Sequence, residues 1–244
     1  MHILLVTDAW YPQVNGVVRT LDTLTRLLRA AGHRISLLTH EGKRTLGFGH
    51  IKVWTRGVDT SQFRQIASSM CQGLPRPVML NAGRVAVEKN IEAFLALERP
   101  GTKVVVGDGP QLAELKARHP QAVFTGYLKG DELAQALSAA DVFVFPSKSD
   151  TFGLVMLEAL ACGVPVAAFP VEGPIDVITS DRVGCLNPDL GKAIDGALAC
   201  RREDCIGFAG QHSWQRVAEM FEQSLVQARQ MHQTTGSFMG RTRF

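Results

Sequence analysis

The chain has 244 residues, of which 45% are hydrophobic and 20% charged, and its formal net charge is +3. This composition is that of a globular protein and excludes a disordered or collagen-like chain. The basic residues are spread out instead of forming a stripe, so we expect no nucleic-acid partner. The sequence has no apolar run long enough for a membrane helix and no signal-peptide pattern at its start. Its five cysteines include no C-x-x-C pair, which favours a reducing compartment and predicts a cytoplasmic protein.

The first 39 residues predict one β-α-β unit. Residues 3–6 and 35–38 are short apolar runs bounded by turn residues, as in buried strands. Asn15 is placed as the N-cap of the helix between them, and Gly32 as its C′ glycine. The apolar residues of this helix recur at helical spacing: Val17, Leu21, Leu24 and Leu28. This order of elements favours parallel strands joined by a right-handed crossover.

A second alternation of strands and helices begins at residue 77. The predicted strands are 78–82, 102–106, 121–124, 141–145 and 164–168. The predicted helices are 88–97, 110–118, 130–139 and 153–161, followed by helices near 189–200 and 203–209. A last helix, with Ser213 as its N-cap, has one apolar stripe formed by Trp214, Val217, Ala218, Phe221 and Leu225. The alternation predicts a doubly wound α/β domain.

These patterns divide the chain into four parts. Residues 1–59 form an N-terminal Rossmann-like portion with a short strand at 51–54, and residues 60–76 form a linker. Residues 77–230 form a complete C-terminal Rossmann-like domain. Residues 231–244 are polar and predict a flexible tail.

The first segment that could carry chemistry follows the strand at 78–82. Gly83 permits an unusual turn there, and Arg84 and Lys89 stand at the carboxyl end of the strand. Ligands of open α/β sheets bind at this end. Two cations there suit a diphosphate, but two solvated bases on a loop remain an alternative.

The second segment follows the strand at 141–145 and enters a helix near Gly153. The start of that helix has free N–H groups and a positive dipole end, which suit a phosphate. Glu158 is the single carboxylate on an otherwise apolar helix, so it must find a partner or face a cleft. A ribose diol would satisfy it, and so would a structural hydrogen bond to the backbone. Asp150 lies in the loop before the helix, where a turn or capping role is the alternative.

Two further segments carry weaker signals. Gly16, between the first strand and the first helix, would let a ligand approach the backbone closely. Residues 107–110 form an incomplete glycine motif, for which a tight turn is the better interpretation. The sequence has no D-x-D pair, no H-x-x-x-H pattern and no H-E-x-x-H motif, so we expect no metal site.

Five stretches, in this order, resemble the GT4 family of retaining glycosyltransferases, which have the GT-B fold. The stretches are TDAWYPQVNGVVRT (7–20), RGVD (56–59), GRVAVEKN (83–90), VGDGP (106–110) and SDTFGLVMLEALACG (149–163). The likeness is strongest to GDP-mannose-dependent α-mannosyltransferases and related lipid glycosyltransferases. It implies metal-independent transfer, with retention, of a hexose from a nucleotide-diphosphate sugar, GDP-mannose, to a lipid or glycan acceptor.

The resemblance also implies roles for individual residues. Arg84 and Lys89 would neutralise the leaving diphosphate, and Glu158, the second acid of the family's E-x7-E motif, would bond the ribose. Asp150 stands where that motif has its first glutamate, near the donor hexose. The backbone N–H groups of Phe152, Gly153 and Leu154 would meet the sugar and the phosphate. The loop glycine Gly16 would close over the phosphates, and the base, guanine or uracil, would lie near residues 107–109 and 126–127.

The chain departs from the family pattern in length. Two complete GT-B halves need roughly 300 residues at about 150 per domain, and the missing part of the first half falls between Leu38 and Ile51. The family's acceptor pocket and its histidine near the reacting sugar belong to that part, and we assign no histidine of this chain to that role. A non-catalytic nucleotide-sugar-binding module is therefore the alternative function.

Two further expectations concern partners. An acceptor lipid implies a peripheral contact with the inner face of a membrane. With the first half reduced, an exposed apolar stripe on the last helix would favour a homodimer, and a purely structural protein of the same fold is the third hypothesis.

Overall fold

A computed structural model describes residues 1–6, 16–38, 56–148 and 153–239. The chain divides into two compact units. The terminal unit comprises Met1–Gly57 and His212–Phe244, and the central unit comprises Val58–Gln211. Within the described part of the chain, no helix has the length and apolar character needed to cross a membrane.

The terminal unit contains the predicted β-α-β motif. Strand β1 (His2–Val6), helix α1 (Gly16–Ala30) and strand β2 (Arg34–Leu38) follow one another, and β1 pairs with β2 in parallel. Gly32 has a φ of +85° and ends α1 as predicted, because glycine adopts this conformation without steric cost. The Asn15 cap and the strand at 51–54 lie outside the described residues.

The last helix of the chain belongs to the same unit. Helix α9 (Trp214–Met239) begins at the predicted cap, where the backbone N–H of Arg216 donates to Ser213 Oγ over 3.3 Å. Its apolar stripe packs on β1 and α1 in one cluster: Ile3, Leu5, Leu24, Leu28, Ile35, Ala218, Phe221 and Leu225. Ala218, Phe221 and Leu225 are partly buried in this cluster, and the homodimer that an exposed stripe would favour stays a prediction.

The central unit is built on one parallel sheet of six strands. The strands are β3 (Val78–Ala82), β4 (Thr102–Val106), β5 (Val123–Gly126), β6 (Val142–Phe145), β7 (Val166–Ala168) and β8 (Gly184–Leu186). Their order across the sheet is β5-β4-β3-β6-β7-β8, and every neighbouring pair is parallel. This is the predicted doubly wound topology, and it confirms the α/β fold class.

Helices connect these strands. They are α2 (Ile91–Leu95), α3 (Leu112–Arg118), α4 (Gly130–Ala139), α5 (Leu154–Ala161), α6 (Pro174–Val177), α7 (Leu190–Leu198) and α8 (Arg202–Gly210). A short 3-10 turn at Val87–Lys89 precedes α2. Asp189 caps α7, since its carboxylate accepts from the backbone N–H groups of Gly191 and Lys192.

Two apolar layers cover the two faces of this sheet. Alternate strand residues point to opposite faces: Leu80 and Phe143 lie in one cluster, and Met79 and Val142 in the other. The first cluster also includes residues of α4, α5 and α8, and the second includes residues of α2, α3 and α7. Strands buried on both faces explain the continuous apolar runs of the sequence.

The unit boundaries differ from the predicted ones in two places. The expected linker 60–76 contributes Phe63 and Cys71 to the core of the central unit, because both side chains are buried beside its sheet. Helix α9 groups with the terminal unit instead of the central one and continues to Met239, into the expected tail. The apolar stripe of α9, not its place in the sequence, decides this grouping.

Candidate functional site

The candidate site lies at the carboxyl ends of β3 and β6. The chain runs from β3 outward to β4 and β5 and then resumes at β6, next to β3, before continuing to β7 and β8. In such open sheets, ligands bind outside the carboxyl ends of the strands where this direction reverses. The two segments singled out from the sequence follow β3 and β6, so the fold brings both to this point.

Backbone and side-chain hydrogen bonds join the two segments. The parallel pairing of β3 with β6 covers Met79 with Val142 and Leu80 with Phe143. Beyond it, Asn81 Nδ2 donates to the carbonyl oxygen of Val144 over 3.0 Å. The connection continues past the strand ends, as described below. We refer to the region between the two segments that follow β3 and β6 as the crevice.

The loop after β3 packs against the loop after β4. The backbone N–H of Gly83 donates to the carbonyl of Val106 over 3.0 Å, and that of Val85 to Asp108 over 2.9 Å. A Cβ on Gly107, which has a φ of +142°, would lie 1.9 Å from the carbonyl oxygen of Gly83. The incomplete glycine motif therefore serves the close approach of two backbones, in agreement with its interpretation as a tight turn.

The two predicted cations lie in this region with different exposure. Arg84 is 67% exposed, and its Nη1 lies 3.5 Å from Glu88 Oε1, one helical turn further along the chain. Lys89 is half-buried and ends the 3-10 turn. Gly83, just before Arg84, has a φ of +155°, which an L side chain rarely adopts.

Helix α5 opens the second side of the crevice. Gly153 precedes Leu154 with a φ of +74°, and as a glycine this N-cap residue has no side chain that could cap the helix. Glu158 is half-buried, whereas most other residues of the helix are buried in the core: Met156, Leu157, Ala159, Leu160 and Ala161. It is thus the carboxylate of an otherwise apolar helix, as predicted. Asp150 and Phe152 lie outside the described residues.

Three residues near the crevice were missed in the sequence. Asn90 Nδ2 donates to the carbonyl of Pro146 over 3.0 Å, and Ser147 Oγ donates to the carbonyl of Glu88 over 3.3 Å. Lys148 Nζ lies 5.0 Å from the centroid of the Phe169 ring. The sequence signal for Asn90 is its type, since asparagine adopts the left-handed conformation more readily than other side chains, and its φ is +51°.

The remaining predictions concern Gly16 and metal binding. Gly16 begins α1 in the terminal unit, and the loop before it is outside the described residues. Among the described residues, no group of three or more histidine, cysteine or acidic side chains is arranged to hold a metal ion.

A cavity of about 590 Å³ at the opposite edge of the sheet is lined by Arg76, Asp141, Cys200 and Arg202, among others. Its main charges are already paired. Arg76 Nη1 lies 2.8 Å from Asp141 Oδ2, which also accepts from the backbone N–H of Val78 over 2.6 Å. These bonds hold the beginnings of β3 and β6 together, so we interpret Arg76 and Asp141 as residues that stabilise the sheet and not as ligand-binding residues.

Comparison with known proteins identifies a family that contains this region of the chain. The sequence profile described as "Glycosyl transferases group 1" matches residues 76–200. A GDP-mannose-dependent alpha-mannosyltransferase of Mycobacterium tuberculosis is 38% identical over 63% of this chain and 42% of its own length. A sulfoquinovosyl transferase of Arabidopsis thaliana is 38% identical over 55% of this chain and 29% of its own length.

Solved structures resemble the fold of this chain. Sucrose-phosphate synthase from Thermosynechococcus elongatus superposes with a TM-score of 0.62 and 23% identity, over 94% of this chain and 59% of that protein. The matched part of the present chain covers less than half of the length of each of the two sequence relatives named above. The matched region contains the whole crevice, from Arg84 to Glu158. The chain belongs to the group 1 glycosyl transferases, the family that its sequence motifs predict.

Proposed function

We propose that the chain binds a nucleotide-diphosphate sugar in the crevice between the ends of β3 and β6 and transfers its hexose. The observation that carries the proposal is the bonding of Glu88 and Asn90, on either side of Lys89, to the segment at Pro146 and Ser147 that leads toward α5, at the point where the sheet reverses. Two cations after β3 and a helix N-terminus after β6 match the charge of a diphosphate.

The proposed chemistry rests on the leaving group. Departure of a nucleoside diphosphate from a sugar builds negative charge on its phosphate oxygens, and groups fixed nearby lower the barrier by stabilising it. Arg84 and Lys89 would supply positive charge from one side, and the N–H groups of Gly153 and Leu154 would donate from the other. Glu158 would accept hydrogen bonds from the ribose hydroxyls.

The finer assignments follow the family likeness. We propose GDP-mannose as the donor, because the Mycobacterium tuberculosis relative carries that donor in its name. We propose that Asp150 contacts the hexose, that the Phe152 N–H faces the phosphate and that the loop at Gly16 covers it. A lipid or glycan accepts the sugar with retained configuration, and a lipid acceptor would bring the protein to a membrane surface.

The test is turnover of the donor. The chain is incubated with GDP-mannose, alone and with phospholipid or oligosaccharide acceptors, while GDP release is measured and the anomeric configuration of any product is read by NMR. We expect GDP release, and a loss of about 100-fold in Arg84→Ala because a charge contact to the leaving group is removed. Arg118→Ala is the matched control, since Arg118 is a surface arginine paired with Glu92 on the helices after β3 and β4. Equal turnover by the Arg84 and Arg118 variants would contradict the proposal.

A second candidate function is a nucleotide-sugar-binding module without turnover. The observation that favours it is the length of the chain, which spans 29–42% of the two sequence relatives. This candidate predicts that GDP raises the melting temperature while no GDP is released from GDP-mannose. Transfer to any acceptor would exclude it.

A further inference from the structure

Three side-chain hydrogen bonds connect the segments that follow β3 and β6. The Asn81 amide donates to the carbonyl of Val144, and the Asn90 amide donates to the carbonyl of Pro146, both over 3.0 Å. Ser147 Oγ returns a bond of 3.3 Å to the carbonyl of Glu88. Asn81 and Ser147 are buried, so leaving their side-chain bonds unmade is costly, whereas Asn90 is half-buried. They continue the connection between β3 and β6 after their backbone pairing.

The last two of these bonds are made by the two residues adjacent to Lys89 in the sequence. Glu88 carries the carbonyl that accepts from Ser147, and Asn90 carries the amide that donates to Pro146. Lys89 is therefore flanked on both sides by residues fixed to the segment that leads toward α5. A cation carried on a turn anchored in this way keeps its place relative to the opposite loop, which lowers the cost of ordering it on binding.

We propose that Asn90 and Ser147 are positioning residues that hold the Lys89 turn at a fixed distance from the start of α5. This inference rests on the proposed function, because it assigns Lys89 to the diphosphate of the donor. Neither side chain needs to touch the ligand. The alternative is that Asn90 is present only for its backbone conformation, since its φ of +51° suits asparagine and glycine.

One variant separates these two roles. Asn90→Gly keeps the left-handed backbone and removes the bond to Pro146, while Ser147→Ala removes the bond to Glu88. Ser138→Ala is the matched control, because Ser138 Oγ also donates to a backbone carbonyl, that of Arg64, over 3.2 Å. Without any ligand, we expect faster hydrogen exchange at residues 87–90 and 146–148 in the two site variants only. Unchanged exchange there would overturn the proposal.

Binding of GDP gives the second measurement, with guanosine as the probe that lacks phosphates. We expect Asn90→Gly to weaken GDP binding about fivefold, the value of one ordinary hydrogen bond, and to leave guanosine binding unchanged. Equal weakening of both probes, or none of GDP, would show that Asn90 acts only on local folding.

A double-mutant cycle tests whether Asn90 acts through Lys89. In a Lys89→Met background, we expect Asn90→Gly to change GDP affinity less than about twofold, because the cation it positions is absent. Additive effects would overturn the proposal. If the wild-type chain binds no GDP, the proposed function fails, and the exchange rates alone decide whether these bonds hold the turn.

Discussion

Arg84 already has a partner in the absence of any ligand. Its guanidinium lies 3.5 Å from Glu88, and both side chains are largely exposed. An exposed pair of this kind contributes about 0–1 kcal/mol, whereas phosphate oxygens offer Arg a planar, bidentate partner of higher charge. Glu88 is therefore a weak competitor for the cation that we assign to the donor diphosphate.

This competition predicts tighter binding by Glu88→Gln. The substitution leaves the backbone carbonyl that accepts from Ser147 in place and removes only the carboxylate charge. We expect the dissociation constant of GDP, measured by titration calorimetry, to fall about two- to fivefold at low ionic strength. The gain should vanish near 1 M salt, where the screening length is about 3 Å. Glu114→Gln, which removes a carboxylate 3.7 Å from Arg118, is the control, and an equal gain there would contradict the explanation.

Two buried thiols make the stability of the chain depend on alkaline pH. Burial raises the pKa of Cys162 from 9.0 to about 12 and that of Cys205 to about 12. Above pH 9 the unfolded chain gives up these protons while the folded chain keeps them, so unfolding becomes progressively easier. The contribution of these two thiols to the free energy of unfolding is thus fully present below pH 9 and is lost as the pH rises toward 12.

The measurement is the free energy of urea unfolding at pH 8, 9, 10 and 11, in the wild type and in Cys162→Ala. We expect the wild type to lose more stability over this range than the variant, because the variant lacks one of the two raised thiols. Parallel curves for the two proteins would show that Cys162 ionises equally in both states.

At the scale of elements, long apolar runs were predicted well and short ones were not. Strands β3 and β4 have the predicted limits, and β6 differs from its prediction by one residue. The predicted helix 88–97 is instead a 3-10 turn followed by α2, because Asn90 adopts a left-handed conformation that an α-helix does not allow. Helix α6 and strand β8 were missed, since four and three residues are too few to show a period.

For the candidate site, the sequence predicts which strand or helix carries each residue, but not which of these elements are neighbours. Sequence order places Arg84 and Lys89 at the end of one strand and Glu158 on the helix after another. Which strands are neighbours is a property of the folded sheet, and the pairing of β3 with β6 joins residues more than 60 positions apart. The bonds of Asn90 and Ser147 depend on that pairing, so no local pattern could reveal them.

The contact between the loops after β3 and β4 predicts that Gly107 cannot be replaced. In Gly107→Ala, the new methyl group would lie 1.9 Å from the backbone oxygen of Gly83, at a φ of +142°. We expect a loss of at least about 2 kcal/mol in the free energy of urea unfolding. Gly207→Ala is the control, because a Cβ on that glycine of α8 meets nothing within 4 Å, and alanine there should add about 0.5–1 kcal/mol. A neutral Gly107 variant would contradict the described packing.

At the scale of the whole molecule, the two units differ in the size of their cores. The central unit buries two large apolar clusters on the faces of its sheet, whereas the described apolar cluster of the terminal unit is built around only four buried residues: Ile3, Leu5, Leu24 and Leu28. A two-stranded sheet gains little stability by itself, so the terminal unit depends on its helices. His33, in the connection between α1 and β2, adds a polar contact with α9, since its Nε2 lies 3.2 Å from Glu222 Oε1.

This division predicts that a nucleotide stabilises one unit and not the other. With GDP at about 100 times its dissociation constant, we expect the opening free energy of amides in β3 and β6 to rise by about 2.7 kcal/mol. Amides of β1 and β2 should exchange at their ligand-free rate, because apart from the loop at Gly16 the residues proposed to contact the donor belong to the central unit. Hydrogen exchange read by mass spectrometry resolves the strands, and an equal rise in both units would show that they open together.

The terminal unit combines two segments that are far apart in the sequence, and this has a consequence during synthesis. The terminal unit is assembled from the first 57 residues and from α9, with the whole central unit between them in the sequence. The central unit is continuous and can fold as soon as it leaves the ribosome, whereas β1 and α1 have to wait for the final helix before their apolar residues are covered. The apolar residues of β1 and α1 are thus exposed until α9 has been synthesised, and we expect this segment to be more prone to aggregation during translation than the central unit.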